Sequence, residues 1–456
     1  MTVRAVAAWV ALWATGAGAD PLTLDEALGQ IDGSSVEVLE ARARVDLAQA
    51  RQRTALAGLL PRLEVAGAIS RNSLPAELDF VVPEKGYSAR PLVGPGIPAG
   101  SLELTPNEVT TLTVQPLTQL SVTAQATVPL LDLPAVGRVR ATGTRARASG
   151  LQLQRVRFEA RIRIWEGLLQ ARAAEQLVSI SQARLKVARE QEQAARQRTR
   201  SGELAPLAMA RAAATAAAAE RTLRLARANE VGARLAIAAQ LGRDEHFAVG
   251  AIASPAAAAW EVDDASQSPR LTARPDLLAA NALVDASRQD VWTARLGLAP
   301  ELDANAQFVA GNAESFSGAT QYWLVQLRLR WRIFDGGQTY GLIRESGALV
   351  RQASANQQRL SREAQRILGQ AKEQVETGIS ALASARAELA FATEALTSAR
   401  ALFNSGEVGY LELLDAQTGR FGADEAVVIE RLRLDVGRLA LALARGEEPV
   451  PSPVTE

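Results

Sequence analysis

Two stretches decide the fold: SVTAQATVPLLD (121–132) and VQLRLRWRIFDGG (325–337). In the second, Val325, Leu327, Leu329, Trp331 and Ile333 point one way, and Gln326, Arg328, Arg330 and Arg332 point the other. In the first, Leu120, Val122, Ala124, Ala126 and Val128 alternate with Ser121, Thr123, Gln125 and Thr127. Strict alternation over about ten residues predicts a strand with one oily and one wet face, the pattern of a transmembrane barrel strand. A half-exposed sheet of a soluble domain has the same pattern. Two further strand-like segments precede them, in LLPRLEVAGAISRN (59–72) and GLAPELDANAQFVAGN (297–312). Four strands per chain are too few, since a closed barrel needs about eight or more. A membrane reading therefore requires several chains to share one barrel.

The two stretches belong to a duplication. Pro61 matches Pro300, Asp132 matches Asp335 and Gly202 matches Gly406. The offset falls from 239 to 203, so the first copy carries about 36 extra residues between its strands. After each strand pair comes a long proline-free segment with a heptad seam. In copy two the seam is Ala364, Leu368, Ala371, Val375, Gly378, Leu382, Ala385, Leu389, Ala392, Leu396, Ala399 and Phe403. In copy one it is Ala160, Ile164, Gly167, Ala171, Ala174, Val178, Ser181, Leu185, Ala188, Glu192, Ala195 and Thr199. A period of 3.5 held this long imposes a left-handed supercoil, and small seam residues let backbones approach closely. Each helix, from about Ala135 to Thr199 or Gly336 to Phe403, spans roughly 100 Å. Breaks at Ser201-Gly202 and Ser405-Gly406 precede returning helices that end near Gly242 and Gly446. Residues 23–58 and 275–298 are helical by pattern and precede the strands.

The boundaries follow proline and composition. Residues 1–19 read as a signal peptide: Arg4, the apolar run Ala5–Ala14, and the small residues Ala17-Gly18-Ala19 before Asp20. Residues 20–243 form the first repeat, with 73–117 as a long irregular loop rich in proline and glycine. Residues 244–274 link the copies, 275–446 form the second repeat, and 447–456 read as a disordered tail. With 50 basic and 50 acidic residues, nothing argues for nucleic acid. The chain has no cysteine, which excludes disulfides, thiolate metal sites and an acylated N-terminal Cys. No segment is apolar for the roughly 18 residues a membrane helix needs. The one histidine, His246, lies in the linker, and no catalytic set, metal-ligand spacing or phosphate loop is present. An enzyme is not expected, nor a cofactor.

The motifs TLDEAL (23–28), LTARPDLLAANALVDASRQDV (271–291), IFDGG (333–337) and SGEVGYLELLDAQ (405–417), in this order, resemble the TolC-like outer-membrane efflux proteins. The resemblance covers nearly the whole mature length. It implies a mainly α fold with a small transmembrane β-barrel portion and a tandem structural repeat. In that family a homotrimer forms a 12-stranded β-barrel continuous with a 12-helix α-barrel. It also implies an outer-membrane exit duct of a Gram-negative bacterium, serving efflux or type I secretion. The partners would be a periplasmic adaptor protein, an inner-membrane pump (RND or ABC type) and outer-membrane lipid. The strand-linking loops 73–117 and 311–321 would lie outside the cell, and the helix breaks would form periplasmic tips.

The resemblance implies that two acidic residues line the closed periplasmic end. Asp415 matches one and Glu412 stands for the other. At i and i+3 they share a helix face and would stack as carboxylate rings. They equally suit a helix N-terminus, where the dipole favours negative charge. Ser201, Gly202, Glu203, Ser405, Gly406, Glu407, Gly409 and Tyr410 are the expected adaptor-contacting tips. Gly202, Gly406 and Gly409 are read as supplying positive φ for the reversals. Trp323 and Trp331 fit either an interfacial aromatic belt or packing. A soluble periplasmic coiled-coil rod is the alternative, which explains the seam but not the alternating strands.

Overall fold

The computed structural model describes residues 22–81, 86–92, 94–98, 101–106, 109–242, 247, 249–250, 252–256, 273–315 and 318–451. The expected signal peptide and His246 lie outside them. Two compact units emerge. A sheet unit takes Gln49–Thr144 and Asp285–Arg351; a helical unit takes the residues up to Ala48, Arg145–Val284 and those from Gln352 on.

The chain begins with α1 (Leu24–Ser34) and α2 (Val36–Ala57). One helix was expected over 23–58, but Ser35 adopts extended angles and splits it. The run Asp32-Gly33-Ser34-Ser35 is poor in helix formers, so the break falls there. Strands β1 (Arg62–Arg71) and β6 (Thr118–Leu131) enclose β2 (Ala76–Val81), β3 (Tyr87–Pro91), β4 (Leu102–Pro106) and β5 (Val109–Gln115). Then come α3 (Leu133–Arg200) and α4 (Pro206–Leu241). The second copy follows as α5 (Pro275–Leu296), β7 (Glu301–Gly311), β8 (Gln321–Arg330), α6 (Gln338–Ser405) and α7 (Tyr410–Arg445). Both long helices have 68 residues and both returning helices have 36.

In the helical unit, every seam residue named above is buried or half-buried, in both copies. Glu192, the odd member of its seam, is ion-paired with Arg196 one turn on. Glycine sets the spacing between α6 and α7. A Cβ on Gly378 would lie 3.3 Å from the Leu434 Cα, and one on Gly437 would lie 3.6 Å from Val375 Cγ2. In copy one, a Cβ on Gly167 would meet only the Ile237 side chain, at 3.1 Å. The buried core around Trp165, Ile164, Leu168 and Ile237 also takes in Leu22 and Val249.

The linker and the tail pack on this core. Trp165 Nε1 donates to the Ala253 carbonyl at 3.2 Å, and Ser254 Oγ donates to Asp435 Oδ2 at 2.9 Å. Burial pushes the Asp435 carboxyl above the ordinary carboxylate range, against Ser254 and Arg438. The tail 447–456 was expected to be disordered; residues 447–451 are instead held. Glu448 pairs with Arg161, and Ala256 N donates to the Val450 carbonyl at 2.8 Å. Prolines lack the donor but keep the acceptor, so a Pro-rich tail can still be held through its carbonyls. Arg274, only 3% exposed, binds Asp276 at 2.7 Å and donates to the Ala444 carbonyl at 2.8 Å. It thereby joins the start of α5 to the end of α7. Burial raises the Asp276 pKa, but Arg274 outweighs it and holds the carboxyl below its ordinary value.

The sheet unit holds one four-stranded antiparallel sheet, in the order β1-β6-β7-β8. Segment 73–117, expected to be irregular, contains two further ladders, β2–β5 and β3–β4. The prolines of this segment that the structure describes fall at strand ends and turns rather than mid-ladder, which leaves pairing possible. Each long helix is capped where the sheet ends. Asp132 Oδ1 accepts from Ala135 N at 2.7 Å, and Asp335 Oδ2 accepts from Thr339 N at 2.9 Å. The Thr339 hydroxyl and amide hold the Asp335 carboxyl below its ordinary value.

Candidate functional site

The sheet is two-faced across all four strands. Register places Leu63 opposite Ala126, Ala126 opposite Ala306 and Ala306 opposite Val325. The next rung holds Val65, Ala124, Phe308 and Trp323. Partners in register share a face. One face therefore carries Leu63, Val65, Ile69, Leu120, Val122, Val128, Leu302, Phe308, Trp323, Val325, Leu327 and Leu329. The other carries Glu64, Thr123, Gln125, Thr127, Asn305, Gln307, Gln326 and Arg328. The apolar face is open: Leu63 is 77% exposed, Ile69 75% and Leu327 69%. Each such side chain is worth about 1.5–3 kcal/mol on leaving water, so covering this face would be strongly favourable. On the polar face Glu301 lies 3.5 Å from Arg332 and 3.9 Å from Arg330. The outer edges of β1 and β8 pair with no further strand among the described residues. Trp323 lies on the apolar face opposite Phe308, and Trp331 follows β8, its Nε1 donating to the Leu298 carbonyl at 3.1 Å.

In the helical unit the two tips repeat each other atom for atom. Glu203 N donates to the Arg198 carbonyl at 2.9 Å, and Gly202 N to the Thr199 carbonyl at 3.2 Å. Glu407 N donates to the Leu402 carbonyl at 2.9 Å, and Gly406 N to the Phe403 carbonyl at 3.2 Å. These are paired Schellman caps, with Gly202 at φ +83° and Gly406 at φ +79°. Ser201 Oγ lies 3.0 Å from Glu203 Oε1, and Ser405 Oγ lies 2.9 Å from Glu407 Oε1. The triplet Ser-Gly-Glu is thus a self-contained stop. Gly409 departs from expectation. It caps α7 at φ −79°, and a Cβ there would meet only the movable end of the Glu412 side chain, with Oε2 at 2.8 Å.

Beyond the caps the tips differ. Tyr410 Oη donates to the Gln191 carbonyl at 3.3 Å. The Tyr410 ring lies 6.1 Å from that of Phe403, and the Arg198 guanidinium stands 5.3 Å above Phe403. Burial pushes the Tyr410 hydroxyl pKa up, against Arg198. This cluster fastens the second tip to α3. Gln191 and Arg198 were missed as contacts, because residues more than 200 apart give no local signal. Glu412 and Asp415 share the exposed face of α7, with Leu413 and Gln417 buried behind them. Neither carboxylate has a hydrogen-bond or ion-pair partner among the described residues. Copy one has Pro206 at the matching helix start and no acid in its first turn.

The described residues thus hold a four-stranded sheet with one apolar and one polar face, and two helical hairpins with heptad seams. The sequence pattern describing the outer membrane efflux proteins matches residues 27–243 and 268–447, and the chain belongs to that family of channels. Outer membrane protein OprJ of Pseudomonas aeruginosa is 28% identical over 164 residues. That match spans 35% of this chain and about a third (34%) of OprJ. Solved structures show the same fold. CusC superposes with a TM-score of 0.76 at 16% identity, covering 94% of this chain and 93% of its own. VceC of Vibrio cholerae gives 0.73 at 17%, covering 93% and 96%.

Proposed function

We propose that three copies of this chain close one barrel of twelve strands in the outer membrane of a Gram-negative bacterium, β8 of each pairing with β1 of the next. The observation that carries this is the continuous apolar face bounded by two free edges. Neighbouring strands are all antiparallel, so β1 and β8 run oppositely and an antiparallel joint between copies follows. Closure removes both edges and gives the apolar face to lipid and the polar face to a water-filled lumen. The duct is passive. An adaptor docks on the tips around Ser201, Gly202, Glu203, Ser405, Gly406, Glu407, Gly409 and Tyr410, and an RND or ABC pump drives the cargo. Glu412 and Asp415 narrow and charge the periplasmic end, and Trp323 and Trp331 sit at the membrane interface. No step calls for a cofactor.

Two measurements test this. The detergent-extracted protein should have the mass of three chains and fractionate with outer membranes. A monomer in the soluble periplasmic fraction would favour the coiled-coil rod and sink the duct. In planar bilayers, Glu412→Ala with Asp415→Ala should raise single-channel conductance and weaken block by divalent cations. Unchanged conductance and block would remove these residues from the gate.

A further inference from the structure

Two charges on the polar face of the sheet lack a partner in their own chain. Glu64 sits on β1 and Arg328 on β8, the strands whose outer edges pair with nothing further. Both side chains are exposed, and neither makes an ion pair or hydrogen bond among the described residues. Asp303 stands opposite Arg328 in the ladder, but no ion pair joins them. The arginines nearby are answered: Glu301 lies 3.9 Å from Arg330 and 3.5 Å from Arg332. Within one chain Glu64 and Arg328 cannot meet. The rung through Glu64 passes Gln125 and Gln307 and reaches β8 at Leu324. With β6 and β7 between them, the edge strands stand roughly 14 Å apart.

The stagger of the sheet dictates how a second copy would meet these edges. The rung through Arg62, where β1 starts, passes Thr127 and Asn305 and reaches β8 at Gln326. From there β8 runs four residues further, to Arg330. Strands tilted about 40° and spaced about 4.8 Å advance about 1.2 residues per strand, or about five for each chain of four strands. Side chains keep their faces only if the offset between copies is even, so it is four or six, the even values nearest to about five. The opposite sense is excluded, because it would set the last residues of β8 against the segment before Arg62, where α2 runs to Ala57. An offset of four sets Glu64 of one copy opposite Arg328 of the next, and six sets it opposite Arg330. Arg62 then falls beside Arg330 or Arg332, the two arginines that Glu301 already meets. On the apolar face Val65 falls opposite Leu327 or Leu329. Shorter offsets would set Glu64 against Gln326 or Leu324 and leave its charge unanswered.

We infer that Glu64 of one copy pairs with Arg328 or Arg330 of the next across the β8–β1 joint, and that this pair sets the register in which the barrel closes. The inference rests on the trimeric barrel proposed above. Opposite charges facing each other across a ladder favour that pairing, and register along an otherwise polar face is weakly specified.

The chain has no cysteine, so introduced thiols are the only ones. Glu64→Cys combined with Arg328→Cys, or with Arg330→Cys, should link copies into disulfide-bonded oligomers on mild oxidation. Glu64→Cys with Tyr322→Cys, on the same face but about 20 Å or more from the arginines, should not. Native mass of the same preparations reads the trimer separately, and a monomeric mass defeats the barrel reading itself. A trimer that links through Tyr322→Cys, or at neither arginine position, overturns the register alone. For the charge, Glu64→Gln should shorten the lifetime of the trimer in warm detergent roughly fivefold, because three exposed ion pairs are lost. In a chain already carrying Arg328→Gln and Arg330→Gln it should change nothing further. An unchanged lifetime, or equal shortening in both backgrounds, overturns the pair.

Discussion

The two helical hairpins match in length to the residue and in cap chemistry to the atom, yet they are fastened differently. In copy one the residue matching Arg274 is Ser35, buried, whose hydroxyl donates to Glu37 Oε2 at 2.9 Å. Copy two starts with Arg274, buried and bound to both Asp276 and the end of α7. At the tips, copy one opens α4 with Pro206 and no acid in the first turn, while copy two ties to α3 through Tyr410 and carries Glu412 and Asp415, which have no partner among the described residues. A repeat can fix geometry twice and still fasten its two copies differently.

The largest effect tests the fastening at the start. Arg274→Ala strands Asp276 and an unsatisfied carbonyl, and should cost about 3–5 kcal/mol. Ser35→Ala, at the matching position of copy one, removes one hydroxyl hydrogen bond and should cost about 1 kcal/mol. Equal losses in thermal unfolding of the two detergent-solubilised variants would erase the distinction. Next is the close approach between helices. Gly378→Ala drives a methyl at the Leu434 backbone, and should cost about 1–3 kcal/mol before the roughly 1 kcal/mol gain in helix propensity. Gly167→Ala meets only a side chain that can turn aside, and should come out near neutral. A melting temperature lowered more by Gly167→Ala would reverse the ranking.

Smaller still is Tyr410→Phe, which removes the donor to Gln191 for about 0.5–1.5 kcal/mol. Amide exchange near residue 410 should accelerate while that near residue 206 does not. The smallest effect is in acid. The Asp276 pKa is lowered in the folded chain relative to its ordinary 3.8. Its stabilisation is therefore complete above that value and is lost as pH falls through the folded pKa. Below about pH 4 the gap between wild type and Asp276→Asn should close; a constant gap would show that Arg274 does not act through the charge.

The architecture was legible because it is periodic. Alternation gave both faces of the sheet, and spacings of four and three gave every seam residue from Ala364 to Phe403. The Ser-Gly breaks fell where the Schellman caps form. What the sequence concealed is nonlocal or context-bound. Arg274 reads as one charge among many until α7 returns beside it. The ladders within 73–117 were hidden by prolines that sit at ends and turns. Gly409 read as a reversal glycine, because a lone Gly does not reveal its backbone angle. The placing of Glu412 and Asp415 on one exposed face followed from their spacing; the tie of Tyr410 to Gln191 did not, since it joins helices more than 200 residues apart.

The glycine contacts between α6 and α7 bear on how such a chain can move. With Leu434 against Gly378 and Val375 beside Gly437, α6 and α7 pack closely, and a roll of one on the other would have to displace these side chains. The hairpin behaves as a single stiff lever roughly 50 Å long. Any widening at its tip must be taken up by slippage against its neighbours, where the aromatic and hydroxyl contacts at Tyr410 are short-ranged and easily remade.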